Sequence, residues 1–214
     1  MTDAPRYSYL REPDAIYRAS FAAVEREADL AGVPAELRAI AVRIAHAAGD
    51  VSVIADLAAS PGAPAAGRAA LAAGVPVLAD AAMVAAGINL ARLPRGNRVV
   101  ATIGDARVPL LAERLGTTRA AAAVELWRPL LAGAVVAIGH APTALFRLLE
   151  TVGEGAPAPA LILGFPVGFV GAAEAKAALA ANPFGVRFIT LHGRRGGSAM
   201  AAAALNALAS EGDP

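Results

Sequence analysis

The side chains best suited to proton transfer near neutral pH in this sequence are its three histidines, His46, His140 and His192. They lie far apart and lack the spacing of metal ligands, so no metal site is predicted. The sequence has no cysteine, which excludes disulfides, thiolate nucleophiles and cysteine-ligated metals. His46 is predicted in the last turn of a helix, where an ordinary structural role fits its position as well.

A second group of residues is suited to binding an anion. The glycine-rich segment 193–198, which contains Arg194 and Arg195, lies where a strand should end and a helix should begin. The free N–H groups at a helix N-terminus attract negative charge. Arg119 lies in the first turn of another predicted helix, where the helix dipole disfavours a cation unless it faces an anion. A ligand with several negative groups is therefore expected, although a solvated basic turn would also explain the two arginines.

Ser20 is the one hydroxyl on an apolar stripe of a helix predicted over residues 13–29, together with Ile16, Ala19, Ala23 and Val24. It could bond back to a helix carbonyl or point into a pocket. The Rossmann, Walker and Gly-x-Ser-x-Gly signatures are missing from the sequence. The residues alone thus indicate a protein that binds an acidic small molecule.

Repeated strand–glycine loop–helix units should position the residues of these loops at one edge of a sheet. Residues 135–145, 161–168 and 187–198 each contain a buried, β-branched or leucine-rich strand followed by glycine. Such units form a parallel sheet whose loops meet beyond the strand C-termini, where ligands bind. Helices are expected to begin at this edge, at Asp80, Pro142, residue 168 or 169, and Gly197. An alanine-rich segment also predicts a helix near residues 172–181. Residues 75–79, 98–103 and 51–57 are further predicted strands, and Asp80 is a predicted N-cap.

One domain over residues 1–214 is predicted, with a three-layer α/β/α fold, flavodoxin-like strand order and about five mostly parallel strands. The net charge of +1 argues against a broad nucleic-acid surface. Prolines at 157, 159 and 166 interrupt the longest uncharged run, so no membrane span is expected. The N-terminus lacks an apolar signal core, which favours a cytoplasmic location.

Several motifs in one order resemble the precorrin-8X methylmutase family, also called precorrin isomerase, of the cobalamin pathway. The similarity extends from about residue 9 to 208, and the family fold is flavodoxin-like. The motifs that carry the resemblance are residues 15–21, 42–46, 80–88, 139–145, 164–171 and 193–200.

The resemblance implies migration of a methyl group from C11 to C12 of precorrin-8X to give hydrogenobyrinate, without an added cofactor. It implies His46 as proton donor and acceptor, and Ser20 and Arg119 as substrate-binding residues. It also implies a homodimer with active sites near the subunit interface. Two positions depart from the family pattern, because His140 replaces an asparagine and Ala120 replaces a serine.

Together with the anion-binding argument, the loop residues Arg195, Gly196, Gly197 and Ser198 are predicted to bind the substrate. A non-catalytic binding or carrier protein for acidic corrin intermediates is the alternative function. A nucleotide-dependent oxidoreductase of similar topology is a more distant alternative, against which the missing dinucleotide motif argues.

Overall fold

Alternating apolar side chains of the strands divide the core into two layers, one on each face of a central sheet. The computed structural model describes residues 7–210. Val77, Ala79 and Val135 pack into one layer, while Leu78 and Val136 pack into the other. The sheet is therefore covered on both faces, as the continuous apolar strands predicted.

The sheet has six strands, one more than expected. They are β1 (Leu57–Ala59), β2 (Val77–Asp80), β3 (Val99–Val100), β4 (Val135–Ile138), β5 (Leu161–Gly164) and β6 (Phe188–Leu191). Their order is β1-β6-β5-β4-β2-β3. All neighbouring pairs are parallel except β1 and β6. The five parallel strands follow the flavodoxin-like order 2-1-3-4-5, which confirms the predicted fold class.

Nine helices flank this sheet within residues 7–210. They are α1 (Pro13–Glu27), α2 (Arg38–Ala48), α3 (Ala63–Ala72), α4 (Ala82–Gly87), α5 (Val108–Leu115), α6 (Arg119–Glu125), α7 (Pro142–Gly153), α8 (Ala172–Ala181) and α9 (Ser198–Ala209). Helices α2, α3, α4 and α9 supply buried residues to one core layer, and α6, α7 and α8 supply the other. Pro142 is the first residue of α7, as predicted.

The strands predicted over residues 51–57 and 98–103 are much shorter in the structure. Residues Val51–Asp56 form a 3-10 helix, because the Asp50 side chain accepts the N–H of Ser52 at 2.8 Å and turns the backbone. The strand begins only at Leu57. The strand predicted over 98–103 is limited to β3, and Thr102 beyond it donates to the carbonyl of Ala123 at 2.8 Å.

The prediction that Asp80 caps the next helix was wrong. Asp80 is the last residue of β2, and α4 begins at Ala82 without a side-chain cap. The buried Asp80 carboxylate instead accepts the N–H of Ala141 at 2.8 Å, just before α7. Burial raises the pKa of Asp80 above its usual value. Helix α8 covers Ala172–Ala181, where the alanine-rich segment predicts a helix, so it does not begin at residue 168 or 169.

In the part of the chain that the structure describes, none of the helices has both the length and the apolar character needed to cross a membrane. The prediction about an N-terminal signal concerns residues 1–6, which lie outside the described range.

Candidate active site

His46 lies on the exposed side of α2, in its last turn. The opposite side of the helix is buried through Ile40, Ala41 and Ile44, so the core anchors the helix and the imidazole faces outward. The helix ends at Gly49, whose φ of 64° is readily adopted by glycine.

Two contacts from α1 fix the orientation of the His46 ring. Ser20 Oγ lies 2.9 Å from His46 Nδ1, and the buried Phe21 ring stacks on the imidazole with a centroid distance of 4.8 Å and an interplanar angle of 20°. Because Nδ1 is engaged by Ser20, Nε2 is the ring nitrogen that can exchange a proton with a ligand. The hydroxyl therefore points to the histidine rather than back to its own helix.

Ser20 and His46 line an open groove of about 360 Å³ together with Gly49, Asp50 and Glu27. A neighbouring cavity of about 430 Å³ shares Glu27 with this groove. Glu27 and Asp50 add two carboxylates to the part of the groove that His46 lines. The carboxylates of an acidic ligand are therefore expected to bind away from His46, while its uncharged part faces the imidazole.

The glycine-rich segment 193–198 lies next to this groove through Arg195. The Arg195 guanidinium donates hydrogen bonds to Asp50, Ser52 and Asp56 in the segment that follows α2. The structure thus connects Arg195 to the groove through Asp50, and it places the guanidinium on protein groups rather than toward open space.

The remaining loop residues predicted to bind substrate are closely packed. Gly197 donates its N–H to the Phe165 carbonyl at 2.7 Å. A Cβ on Gly196 would lie only 2.4 Å from the same carbonyl oxygen, so glycine is needed there for close backbone approach. Ser198 is the first residue of α9, whose first N–H groups have no partner within the helix.

Arg119 lies on the other helix layer. It is the first residue of α6, and its neighbour Thr118 caps that helix by accepting the N–H of Ala121 at 3.2 Å. The exposed Arg119 donates to the Ile103 carbonyl at 3.3 Å. The structure therefore brings Ser20 and His46 into contact, whereas Arg119 lies across the sheet from them.

The other two histidines are exposed and lie in different loops. His140 follows β4 beside the Asp80 carboxylate, and His192 follows β6 with its N–H bonded to the Asp56 carbonyl at 2.7 Å. Within residues 7–210, no group of three or more histidine or acidic side chains is arranged to hold a metal ion.

Sequence reasoning missed four residues around the site: Phe21, Asp50, Asp56 and Lys176. Lys176 is the only lysine of the chain and is completely buried on α8, where its Nζ donates to the Arg195 carbonyl. A fully buried lysine on an alanine-rich helix gives no periodic signal. Asp50, by contrast, directly follows the helix-ending Gly49, which was a signal for a turn close to His46.

Comparison with known proteins identifies the family. Residues 15–211 match the precorrin-8X methylmutase family. A precorrin-8X methylmutase of Pseudomonas aeruginosa is 62% identical over 203 residues, covering 95% of this chain and 98% of that protein. A cobalt-precorrin-8 methylmutase of Priestia megaterium is 38% identical, covering 92% of this chain and 87% of that protein. The crystal structure of a precorrin-8X methylmutase from Thermus thermophilus superposes with a TM-score of 0.83 at 43% identity, covering 92% of this chain and 94% of that one. The chain therefore belongs to the precorrin-8X methylmutase family and is an isomerase of cobalamin biosynthesis.

Proposed function

We propose that this enzyme moves a methyl group from C11 to C12 of precorrin-8X and releases hydrogenobyrinate, with His46 as proton donor and acceptor. The observation that supports this best is the His46 ring, fixed by Ser20 and Phe21 at an open groove. A proton-transfer group is useful only when it is held in one orientation towards the reacting atoms.

The chemistry needs only one exchangeable proton. Protonated His46 gives a proton from Nε2 to the conjugated macrocycle, which makes the ring system electron-poor and lowers the barrier to breaking the C11–CH3 bond and forming the C12–CH3 bond. After the methyl group has moved to C12, the neutral imidazole takes a proton back and conjugation is restored. Substrate and product are isomers, so no atom or electron is gained or lost, and a residue that cycles between its two protonation states completes the reaction.

Ser20 and Arg119 have separate proposed roles. Ser20 orients the imidazole and contacts the substrate beside it. Arg119, exposed at the start of α6, binds one carboxylate of the substrate, and the first N–H groups of α9 at Ser198 bind another. The assignment of Arg195, Gly196 and Gly197 to direct substrate binding remains a prediction from the sequence.

We also propose that the natural substrate is free of metal. The relative that is 62% identical is named for precorrin-8X, whereas the relative that is 38% identical is named for the cobalt-containing compound. A homodimer in the cytoplasm is the proposed form of the enzyme.

The test is to incubate the protein with metal-free and with cobalt-containing precorrin-8X and to follow the absorption spectrum. Conversion of the metal-free compound to hydrogenobyrinate is expected, at a higher rate than any conversion of the cobalt form. Binding without spectral change would instead favour the non-catalytic carrier.

A further inference from the structure

The side chain of Arg195 has all its hydrogen-bond donors engaged within the protein. Its Nε and Nη2 donate to Asp56 Oδ2 at 3.0 and 2.6 Å. Its Nη1 donates to Asp50 Oδ2 at 3.1 Å and to Ser52 Oγ at 2.6 Å, and Nη2 also donates to the Ser52 carbonyl at 3.1 Å. A guanidinium has five N–H donors. These bonds use all of them and leave none for a ligand carboxylate.

The positive charge of Arg195 is also already balanced by carboxylates of the protein. The carboxylates of Asp50 and Asp56 both face the guanidinium. Hydrogen bonds from Ser52, followed by the charge and hydrogen bond of Arg195, lower the pKa of Asp50, which therefore stays negative at neutral pH. A third carboxylate at this position would meet two of its own sign, so Arg195 is poorly placed to receive the substrate.

The backbone of Arg195 is anchored from a second direction. Its carbonyl accepts a hydrogen bond from Nζ of the buried Lys176 on α8. The loop after it is fixed by the bond from Gly197 N–H to the Phe165 carbonyl. Helix α8 belongs to the core layer opposite to α2. Arg195 thus connects the two helix layers at the edge of the sheet where the site lies.

The segment that Arg195 holds forms a wall of the groove around His46. Asp50 lines the groove with His46 and Gly49. Its N–H donates to the carbonyl of Ala45, one residue before His46, at 3.2 Å. A shift of residues 50–56 would therefore be transmitted directly to the end of α2 that carries the imidazole.

From these contacts we propose that Arg195 is a positioning residue, which holds residues 50–56 against the glycine-rich loop and thereby fixes the groove wall beside His46. This inference deepens the proposed function and depends on His46 being the proton-transfer group. It assigns Arg195 an indirect role in turnover and no direct bond to the substrate.

The test compares Arg195→Lys with the parent and with Arg187→Lys as a matched control. Arg187 is exposed and immediately precedes β6, at the sheet edge away from the site. Lysine keeps the charge but lacks the planar fork that reaches three partners at once. The expected result is a decrease in kcat of about 10- to 100-fold, because small misplacements of a reacting group cost rates of this size. The Kd for hydrogenobyrinate should stay near the parent value, and Arg187→Lys should match the parent in both.

Two further measurements separate positioning from loss of fold. Asp50→Asn should lower kcat in the same way, and its effect should be less than multiplicative with that of Arg195→Lys, since both break one connection. The His46 ring resonances in the NMR spectrum should shift in both variants. An unchanged kcat with a Kd raised about tenfold, as expected when a charge-assisted hydrogen bond to substrate is lost, would overturn the proposal and make Arg195 a receptor.

Failure of the Arg195 inference can be distinguished from failure of the proposed function. If His46→Asn turns over like the parent, His46 is not the proton-transfer group, whatever Arg195 does. The NMR shift of His46 in Arg195→Lys still reports whether Arg195 positions the ring, and unshifted resonances would contradict that role.

Discussion

The hydroxyl of Ser20 lies 2.9 Å from Nδ1 of His46, although the two residues are separated by 26 positions in the chain. This contact links α1 to the last turn of α2 and engages Nδ1, so the proposed proton transfer uses Nε2. Since Phe21 next to Ser20 stacks on the same ring, α1 determines how the imidazole is presented.

Replacing Ser20 with alanine should slow turnover without unfolding the protein. A neutral hydrogen bond contributes about 0.5–1.5 kcal/mol, which corresponds to a decrease in kcat of about two- to thirteenfold. Steady-state kinetics with precorrin-8X would measure it, with Ser8→Ala as the control on an exposed serine outside the groove. Equal kcat values for Ser20→Ala and the parent would show that the Ser20 contact is not used in catalysis.

Replacing Arg119 with alanine should weaken binding of hydrogenobyrinate by about 1–3 kcal/mol, the range for a charge-assisted hydrogen bond. Titration calorimetry measures this directly. Arg114→Ala, an exposed arginine at the end of α5, is the matched control and should bind like the parent. An affinity of Arg119→Ala equal to that of the control would remove Arg119 from the site.

The single lysine, Lys176, allows a sharp test of how the stability of the protein depends on pH. Burial lowers the pKa of Lys176 from 10.5 to about 8. Between these values the unfolded chain binds more protons than the folded one at this residue, so the contribution of Lys176 to stability rises with pH and is lost as pH falls through 8. Because one pKa unit corresponds to about 1.4 kcal/mol, the free energy of unfolding changes by at most about 3.5 kcal/mol.

Lys176→Met should abolish this increase in the free energy of unfolding at alkaline pH. The measurement is the free energy of unfolding of the parent and of the variant from pH 7 to 11, with the difference plotted against pH. A difference that is constant across this range would mean that Lys176 titrates normally in the folded protein.

The apolar surface around α1 leads us to expect a homodimer that forms without ligand. Ile16 is 46% exposed, although the helix pattern predicted it on a buried stripe, and exposed apolar patches mark interaction surfaces. Sedimentation at micromolar concentration should give twice the chain mass. Ile16→Asp should shift the equilibrium to monomer, whereas Leu110→Asp on α5 should not. A parent protein that sediments only as monomer would contradict this expectation.

Local patterns were sufficient to predict the parallel sheet, α7, α8, α9 and the place of His46 near Gly49. They failed where side chains compete with the backbone or where distant segments meet. Asp50 captures the Ser52 N–H and converts an apparent strand into a 3-10 helix. Asp80 bonds to Ala141, 61 positions away, instead of capping the helix that follows it.

The same distinction explains what could be predicted of the site. The helix period and the glycine stop place His46, because both are local features. The contacts of His46 with Ser20 and of Arg195 with Asp56 depend on how helices and loops pack in three dimensions, which sequence spacing does not reveal. The resemblance to the family, by contrast, implies both Ser20 and His46 as site residues, and the structure shows the two in contact.

Turnover of precorrin-8X by His46→Asn tests the central proposal most directly. Asparagine can form hydrogen bonds but cannot exchange a proton near neutral pH, and a placed acid–base group is worth about 10²- to 10⁴-fold in rate. His46→Asn and His46→Ala should therefore lose at least about 100-fold in kcat, yet keep their fold and bind hydrogenobyrinate. The control His140→Asn should keep most activity. Turnover of both His46 variants at nearly the parent rate, with loss of activity in His140→Asn, would contradict the account and assign proton transfer to the other histidine.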